Sequence, residues 1–151
     1  MGLFGRSAKP ARIVEDPAFG PLEYDDSGCW RGDVMFEPVG DEVGIEIKTD
    51  GPEPVELHRQ LFRQLAEKYA SLTPALAQAL SSLYAAHVEA EGDEPISTED
   101  LLAATELGWV EILSARELRL GFGFRDGMGA EGVMLVVGIK DWIPRGESVE
   151  E

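Results

Sequence analysis

The chain has 151 residues, about the length of one domain, and 44% of them are apolar while 28% are charged. These values are near the average of globular proteins, which excludes a disordered chain, a collagen-like repeat and a disulfide scaffold. Thirteen basic and 29 acidic residues give a formal net charge of −16, and because residues 1–12 hold three bases and no acid, the rest of the chain stands at −19. Such a body repels phosphate backbones, so we expect no binding to nucleic acid.

The chain holds a single cysteine, Cys29, which cannot form an internal disulfide. The apolar stretch near the first residue is two residues long, whereas a secretory leader needs about 7–15. No window approaches the run of about 18 apolar residues that crosses a membrane. We therefore expect a cytoplasmic protein that does not associate with membranes, and we expect no cofactor.

The first predicted elements are an N-terminal arm and a group of strands. Residues 1–15 are basic at their start and predict a mobile arm. From Phe19 to Thr49, apolar residues recur at every second position, which is typical of strands with one buried face. The residues that share this alternation are Trp30, Val34 and Phe36, and then Val43, Ile45 and Ile47. The pattern predicts an antiparallel meander of three strands.

The middle of the chain has the period of a helix. Apolar residues form one helical stripe over positions 58–72 and a second over positions 76–88. Between them, Thr73 and Pro74 are a typical helix start, with a capping hydroxyl followed by proline at the first helical position. With a connection of about two residues, the two stripes predict an antiparallel helical hairpin.

The last third begins with a short helix and returns to the period of strands. Ser97 and Asp100 form a capping-box pattern that predicts a third helix ending near Gly108. The predicted strands that follow lie at 109–113, 118–124 and 133–137, and the last of them is apolar at every position, which favours a strand covered on both faces. Pro144 then predicts the end of the sheet, with residues 144–151 as an acidic tail.

These elements together predict one α+β domain over residues 16–143. Its antiparallel sheet would have about six strands, three N-terminal and three C-terminal. The helical hairpin and the short third helix would pack on this sheet.

The glycines of the last third do not match a dinucleotide fingerprint, which needs a third glycine where Asp126 stands and a helix after it. Asp126 instead begins a hairpin loop between two strands. The strand glycines Gly121 and Gly123 predict space for a neighbouring side chain, and Trp30 and Trp109 are the candidates.

His58 and His87 are the only histidines, and the predicted hairpin brings both to its open end. Two imidazoles near the carboxylates of residues 89–93 are a candidate set of zinc ligands. The alternative is that each imidazole lies on an apolar stripe and packs in the core.

Short motifs at both ends of the domain carry a resemblance to a family. The chain opens with Phe19-Gly-Pro-Leu22 and Trp30-Arg-Gly32, and it closes with Phe122-Gly-Phe124-Arg-Asp126, a glycine-rich loop and a final apolar strand. In these motifs it resembles a set of small acidic bacterial domains of unknown function. The resemblance implies an immunity-type protein that neutralises a toxin, and it brings no catalytic residues with it. Related domains often carry acidic residues or histidines in the closing loop, where this chain has Asp126 and Glu131 but no histidine.

Three hypotheses of function follow. The first is a non-catalytic binding domain whose acidic surface engages a basic protein partner, since no catalytic constellation is found. The second is an enzyme or small-molecule-binding protein with a cleft near the loop of residues 126–132, where an anion would be held. The candidate ligand-binding residues for this cleft are Arg119, Arg125, Asp126 and Glu131. The third is a structural module that only forms oligomers.

Overall fold

The computed structural model describes residues 12–24, 28–49, 56–91, 97–125 and 132–150, and for residues 89–91 it describes the backbone only. The first strands are β1 Arg12–Asp16, β2 Gly20–Tyr24, β3 Cys29–Phe36 and β4 Asp41–Lys48. The helices follow as α1 Glu56–Glu91 and α2 Thr98–Ala104. The last strands are β5 Thr105–Ile112, β6 Glu117–Phe124, β7 Met134–Lys140 and β8 Ile143–Glu150.

The eight strands form one sheet in which strand order follows the chain from β1 to β8. All neighbours are antiparallel except β4 and β5, which are parallel. The sheet thus consists of two four-stranded meanders joined at a parallel pair, and the helices form the long crossover that a parallel pair requires. The α+β class is confirmed, whereas the prediction of a six-stranded antiparallel sheet is wrong.

The two additional strands come from segments that the sequence assigned to the arm and the tail. Residues 12–16 pair with β2, and the Asp16 carboxylate accepts hydrogen bonds from the backbone N–H groups of Ala18 and Phe19 in the turn that follows. At the other edge, Pro144 pairs with Ile139 inside β8 rather than ending the sheet. Proline is tolerated there because an edge strand has one side without a ladder partner.

The predicted helical hairpin is also wrong, because α1 is a single helix of 36 residues with Pro74 in its interior. Pro74 has no N–H to donate to the carbonyl of Ala70. The Thr73 hydroxyl donates to the Tyr69 carbonyl at 2.9 Å, so it bonds back into the preceding turn instead of capping a new helix. The buried positions Leu65, Leu72, Leu76 and Leu80 keep one helical phase across the Thr-Pro pair, so burying this stripe favours an unbroken helix.

The core lies between the helix and one face of the sheet. The alternating residues predicted for burial on β3 and β4 are buried, and they pack with the apolar stripe of α1 in one cluster. Phe62 packs on Phe36 of β3, with 5.7 Å between ring centroids, while Lys68 lies over the Trp142 ring after β7. In a flat sheet β3 and β7 would be roughly 19 Å apart, and a helix is only about 10–12 Å wide. The sheet therefore curves around α1.

The opposite face of the sheet carries a row of ion pairs in register. Arg31 pairs with Glu46 at 2.6 Å, and further along the row Arg119 pairs with both Glu111 and Glu147, at 3.3 and 2.6 Å. Beside this row the Trp109 indole lies on Gly121, where any Cβ would overlap the ring. This confirms the predicted role of Gly121 and identifies Trp109 as the side chain that it accommodates.

Candidate functional site

The structure does not bring His58 and His87 together. Both lie on α1, 29 positions apart, which at 1.5 Å per residue is about 43 Å along the axis. The His87 ring packs beside Tyr84. Within the described ranges, no group of three or more His, Cys, Asp or Glu residues is arranged to hold a metal ion. The zinc hypothesis depended on the hairpin, and the unbroken helix removes its geometry.

Arg119 and Arg125 both face carboxylates rather than a shared anion site. On the outer face of β6, burial lowers the pKa of Arg119, but the charges of Glu147 and Glu111 outweigh this and raise it above its usual value. Arg125, just after β6, donates to the Ala103 carbonyl at 3.2 Å and to Glu106 at 3.3 Å. The other two candidates for this site, Asp126 and Glu131, lie outside the described residues.

The end of the β3–β4 hairpin is an acidic surface that was not among the predicted sites. We define the acidic tip as the exposed side chains of Asp33, Met35, Glu37, Val39, Asp41 and Glu42. Residues 32–47 contain five acids and no base. Of these five, only Glu46 has an ion-pair partner within the described part of the chain. Two large apolar side chains are exposed among the acids, Met35 at 55% and Val39 at 37%.

Most basic residues are neutralised elsewhere in the fold, which is why the tip remains unbalanced. In the described ranges, the lysines and arginines with carboxylate partners are Arg31, Lys48, Arg59, Arg63, Arg116, Arg119 and Arg125. None of these partners belongs to the acidic tip. The carboxylates of the acidic tip therefore keep their negative charge without a basic side chain of the described segments to balance it.

The backbone of the acidic tip is fixed by its turn. A short 3-10 helix, Glu37–Val39, follows β3 and ends at Gly40, whose φ of +70° is in the left-handed region that suits glycine. The Gly40 N–H donates to the carbonyls of Phe36 and Glu37, at 3.1 and 3.0 Å. Below the turn, the Phe36 ring packs edge-on against Tyr69 of α1, with 5.2 Å between centroids. The acidic tip is thus held on the helix.

A cavity of about 610 Å³, which we call the tip cleft, opens between the acidic tip, α1, α2 and the start of β5. Its volume is in the range of about 300–1,000 Å³ that small-molecule sites occupy. The apolar walls are formed by Val39, Leu102, Leu107 and Phe122, and the ion pair of Glu106 and Arg125 also lines it. Of the sequence-predicted site residues that the structure describes, Arg125 is the one placed beside this cleft.

Residues in the middle of α1 form one wall of the tip cleft, and Tyr69 is among them. Burial raises the pKa of Tyr69 to about 12, so its phenol is neutral near pH 7. Ala70 and Thr73 also line the cleft. The Ala70 carbonyl receives no hydrogen bond from position 74, because proline has no N–H. These residues are not predicted as a site from the sequence, because Thr73 and Pro74 have the local pattern of a helix start. The uninterrupted phase of the apolar stripe was the signal for one helix.

Comparison of the chain with protein-family models, with curated proteins and with solved structures finds no match. Among the described helices, none combines the length and the apolar composition needed to cross a bilayer. A functional assignment therefore depends on the geometry and charge of the acidic tip and the tip cleft.

Proposed function

We propose that the protein is a non-catalytic, cytoplasmic binding domain whose acidic tip engages a basic protein partner. The observation that carries this proposal is the placement of four carboxylates without ion-pair partners, in the described part of the chain, around the exposed Met35 and Val39. Charge of one sign steers an oppositely charged partner and accelerates association. Exposed apolar side chains inside a charged rim supply the desolvated contacts that hold a complex together.

The fixed backbone of the tip supports the same proposal. The Gly40 turn and the Phe36–Tyr69 contact hold the hairpin end in one conformation before any partner arrives. A surface that is ordered in advance loses less conformational entropy on binding, so more of its interaction energy appears as affinity.

A toxin is the partner that the sequence resemblance implies, and we propose an immunity-type role as the specific form of this function. A toxin that acts on nucleic acid needs a basic surface because its substrate is a polyanion. A rigid acidic hairpin would cover such a surface and block access to it.

The experiment is affinity capture from a lysate of the source cells with three immobilised proteins. These are the wild type, a tip variant carrying Asp33→Asn, Glu37→Gln and Glu42→Gln, and a control carrying Glu23→Gln, Glu67→Gln and Glu99→Gln. Both variants lose three exposed carboxylates that have no ion-pair partner among the described residues, so their net charges are equal. We expect the wild type and the control to retain a basic protein that the tip variant does not retain, and we expect added salt to release it.

The purified captured protein is then titrated with all three proteins. A dissociation constant raised at least about tenfold by the tip variant, with a change below about twofold for the control, supports the proposal. Equal losses in both variants would show that net charge alone attracts the partner. Retention of no basic protein, or association insensitive to salt, would overturn the proposal.

A further inference from the structure

We infer that the tip cleft is a second binding site, which takes a small organic cation consisting of an amine on an apolar or aromatic body. This inference does not depend on the proposed protein partner. It follows from which polar groups around the cleft are already bonded and which are not.

The threonine hydroxyls that line the cleft are already used as donors. The Thr73 hydroxyl donates to the Tyr69 carbonyl at 2.9 Å, and the Thr105 hydroxyl donates to the Leu101 carbonyl at 3.0 Å. The Arg125 guanidinium is shared between a backbone carbonyl and Glu106. A carboxylate or phosphate ligand would therefore meet a guanidinium whose positive charge is already paired with Glu106.

The acceptors of the cleft are less fully used. Pro74 removes the N–H that would otherwise bond the Ala70 carbonyl. Asp41 accepts the backbone N–H of Glu42 at 2.8 Å, and no lysine or arginine of the described segments pairs with it. An ammonium group carries three donors and a positive charge, so it complements a carboxylate that has no cationic partner within the described residues, and the Ala70 carbonyl is a second acceptor on a residue that lines the cleft.

The remaining surface of the cleft fits an apolar or aromatic body. Leu107 and Phe122 are buried and line the cleft together with Leu102 and Val39. Tyr69 also lines the cleft, and aromatic side chains attract cations. The charge of −16 on the whole chain raises the local concentration of cations at its surface. The same groups count against the anion that the sequence analysis placed near this region.

The test compares three ligands of one size, phenethylamine, phenethyl alcohol and phenylacetate, by isothermal titration calorimetry with the full chain. They share a phenyl ring and differ in carrying a cation, a neutral hydroxyl or an anion. We expect phenethylamine to bind at least about tenfold more tightly than the other two, the effect of one charge-assisted hydrogen bond. Phenylacetate binding as tightly as the amine, or no heat with phenethylamine at all, would overturn the inference.

Two variants locate the amine within the cleft. Asp41→Asn removes the charge, and Pro74→Ala gives the Ala70 carbonyl an intrahelical donor without unfolding the helix. We expect Asp41→Asn to weaken phenethylamine about tenfold and Pro74→Ala to weaken it several-fold, whereas Asp33→Asn, on the same hairpin but outside the cleft lining, leaves it unchanged. An unchanged affinity in Asp41→Asn would contradict the site. The outcome is independent of the protein partner, since the tip variant above retains Asp41 and Pro74.

Discussion

Arg59 of α1 donates hydrogen bonds to both carboxylate oxygens of Asp16, the last residue of β1. The Nη2 atom lies 2.7 Å from Oδ1, and Nε lies 3.0 and 3.2 Å from Oδ1 and Oδ2. The Asp16 side chain is only 2% exposed, and its Oδ2 also accepts the N–H groups of Ala18 and Phe19. This ion pair therefore joins the first turn of the sheet to the helix on which the tip cleft is built.

Replacing Asp16 with asparagine should lower the free energy of unfolding by about 3 kcal/mol, because it removes the buried negative charge that the Arg59 guanidinium contacts most closely. Urea denaturation measures the change. Glu15→Gln is the control, since Glu15 is the exposed neighbour on the same strand, and it should change stability by less than about 0.5 kcal/mol. Equal effects of the two substitutions would show that the ion pair contributes nothing specific.

The same ion pair should make stability depend on pH. Burial raises the pKa of Asp16, but hydrogen bonds from Arg59 and from two backbone N–H groups outweigh it and hold the pKa below the usual 3.8. Because the pKa of Asp16 is lower in the folded state than in the unfolded state, the ion pair stabilises the fold fully at pH values above the unfolded-state pKa. This stabilisation is lost as the pH falls through the folded-state pKa. The stability difference between wild type and Asp16→Asn should therefore be constant from about pH 7 to pH 5 and shrink below about pH 4. A difference that grows in acid would contradict this assignment.

Replacing Gly121 with alanine should destabilise the protein by about 1–3 kcal/mol, since a Cβ there would overlap the Trp109 indole in a packed layer. Gly44→Ala is the matched control on the same face of the sheet. A Cβ at Gly44 would lie 3.4 Å from the Trp109 Cβ, an ordinary contact. Thermal and urea unfolding should separate the two variants. Similar stabilities would mean that the indole does not lie on Gly121 in solution.

Replacing Pro74 with alanine should stabilise the protein by about 2 kcal/mol, because proline inside a helix lacks a hydrogen bond and crowds the preceding turn. If Pro74 began a second helix instead, proline would be favourable there and its removal would be neutral or destabilising. Urea denaturation measures whether the substitution raises or lowers the free energy of unfolding. A loss of stability would restore the hairpin that the sequence predicted.

The strands of the first meander could be predicted because burial on one face imposes a period of two. Trp30, Val34 and Phe36 follow that period and are buried. The cap of α2 was equally local, since Ser97 accepts the Asp100 N–H at 3.2 Å as the capping pattern predicts. Interactions between residues that are near each other in sequence leave a readable pattern.

The long helix was mispredicted because a local signal competed with a global one. Thr73 and Pro74 favour a helix start when taken alone, but the burial of Leu72 and Leu76 in one core holds the helix together across them. The sequence contains both the Thr-Pro pattern and the continuous apolar stripe, and their relative energies cannot be read from it. The tertiary packing of α1 decides between them.

The candidate sites were harder to predict because they join distant segments. Asp41 and Glu42 directly follow a turn, and nothing nearby in sequence indicates that the middle of α1 packs beneath them. The tip cleft brings Tyr69 together with Leu107 and Arg125, and only the curvature of the sheet around α1 places these residues together.

The central claim is that α1 runs unbroken beneath the acidic tip and forms a wall of the tip cleft. Spin labels on Leu57→Cys and Ala86→Cys, two exposed positions 29 residues apart on α1, test it by pulsed electron paramagnetic resonance in a Cys29→Ser background. A continuous helix predicts a narrow distribution near about 43 Å between the two backbones. A helical hairpin would place the labelled turns side by side at a separation of about 10 Å between axes, and a short distance of that order would contradict the account.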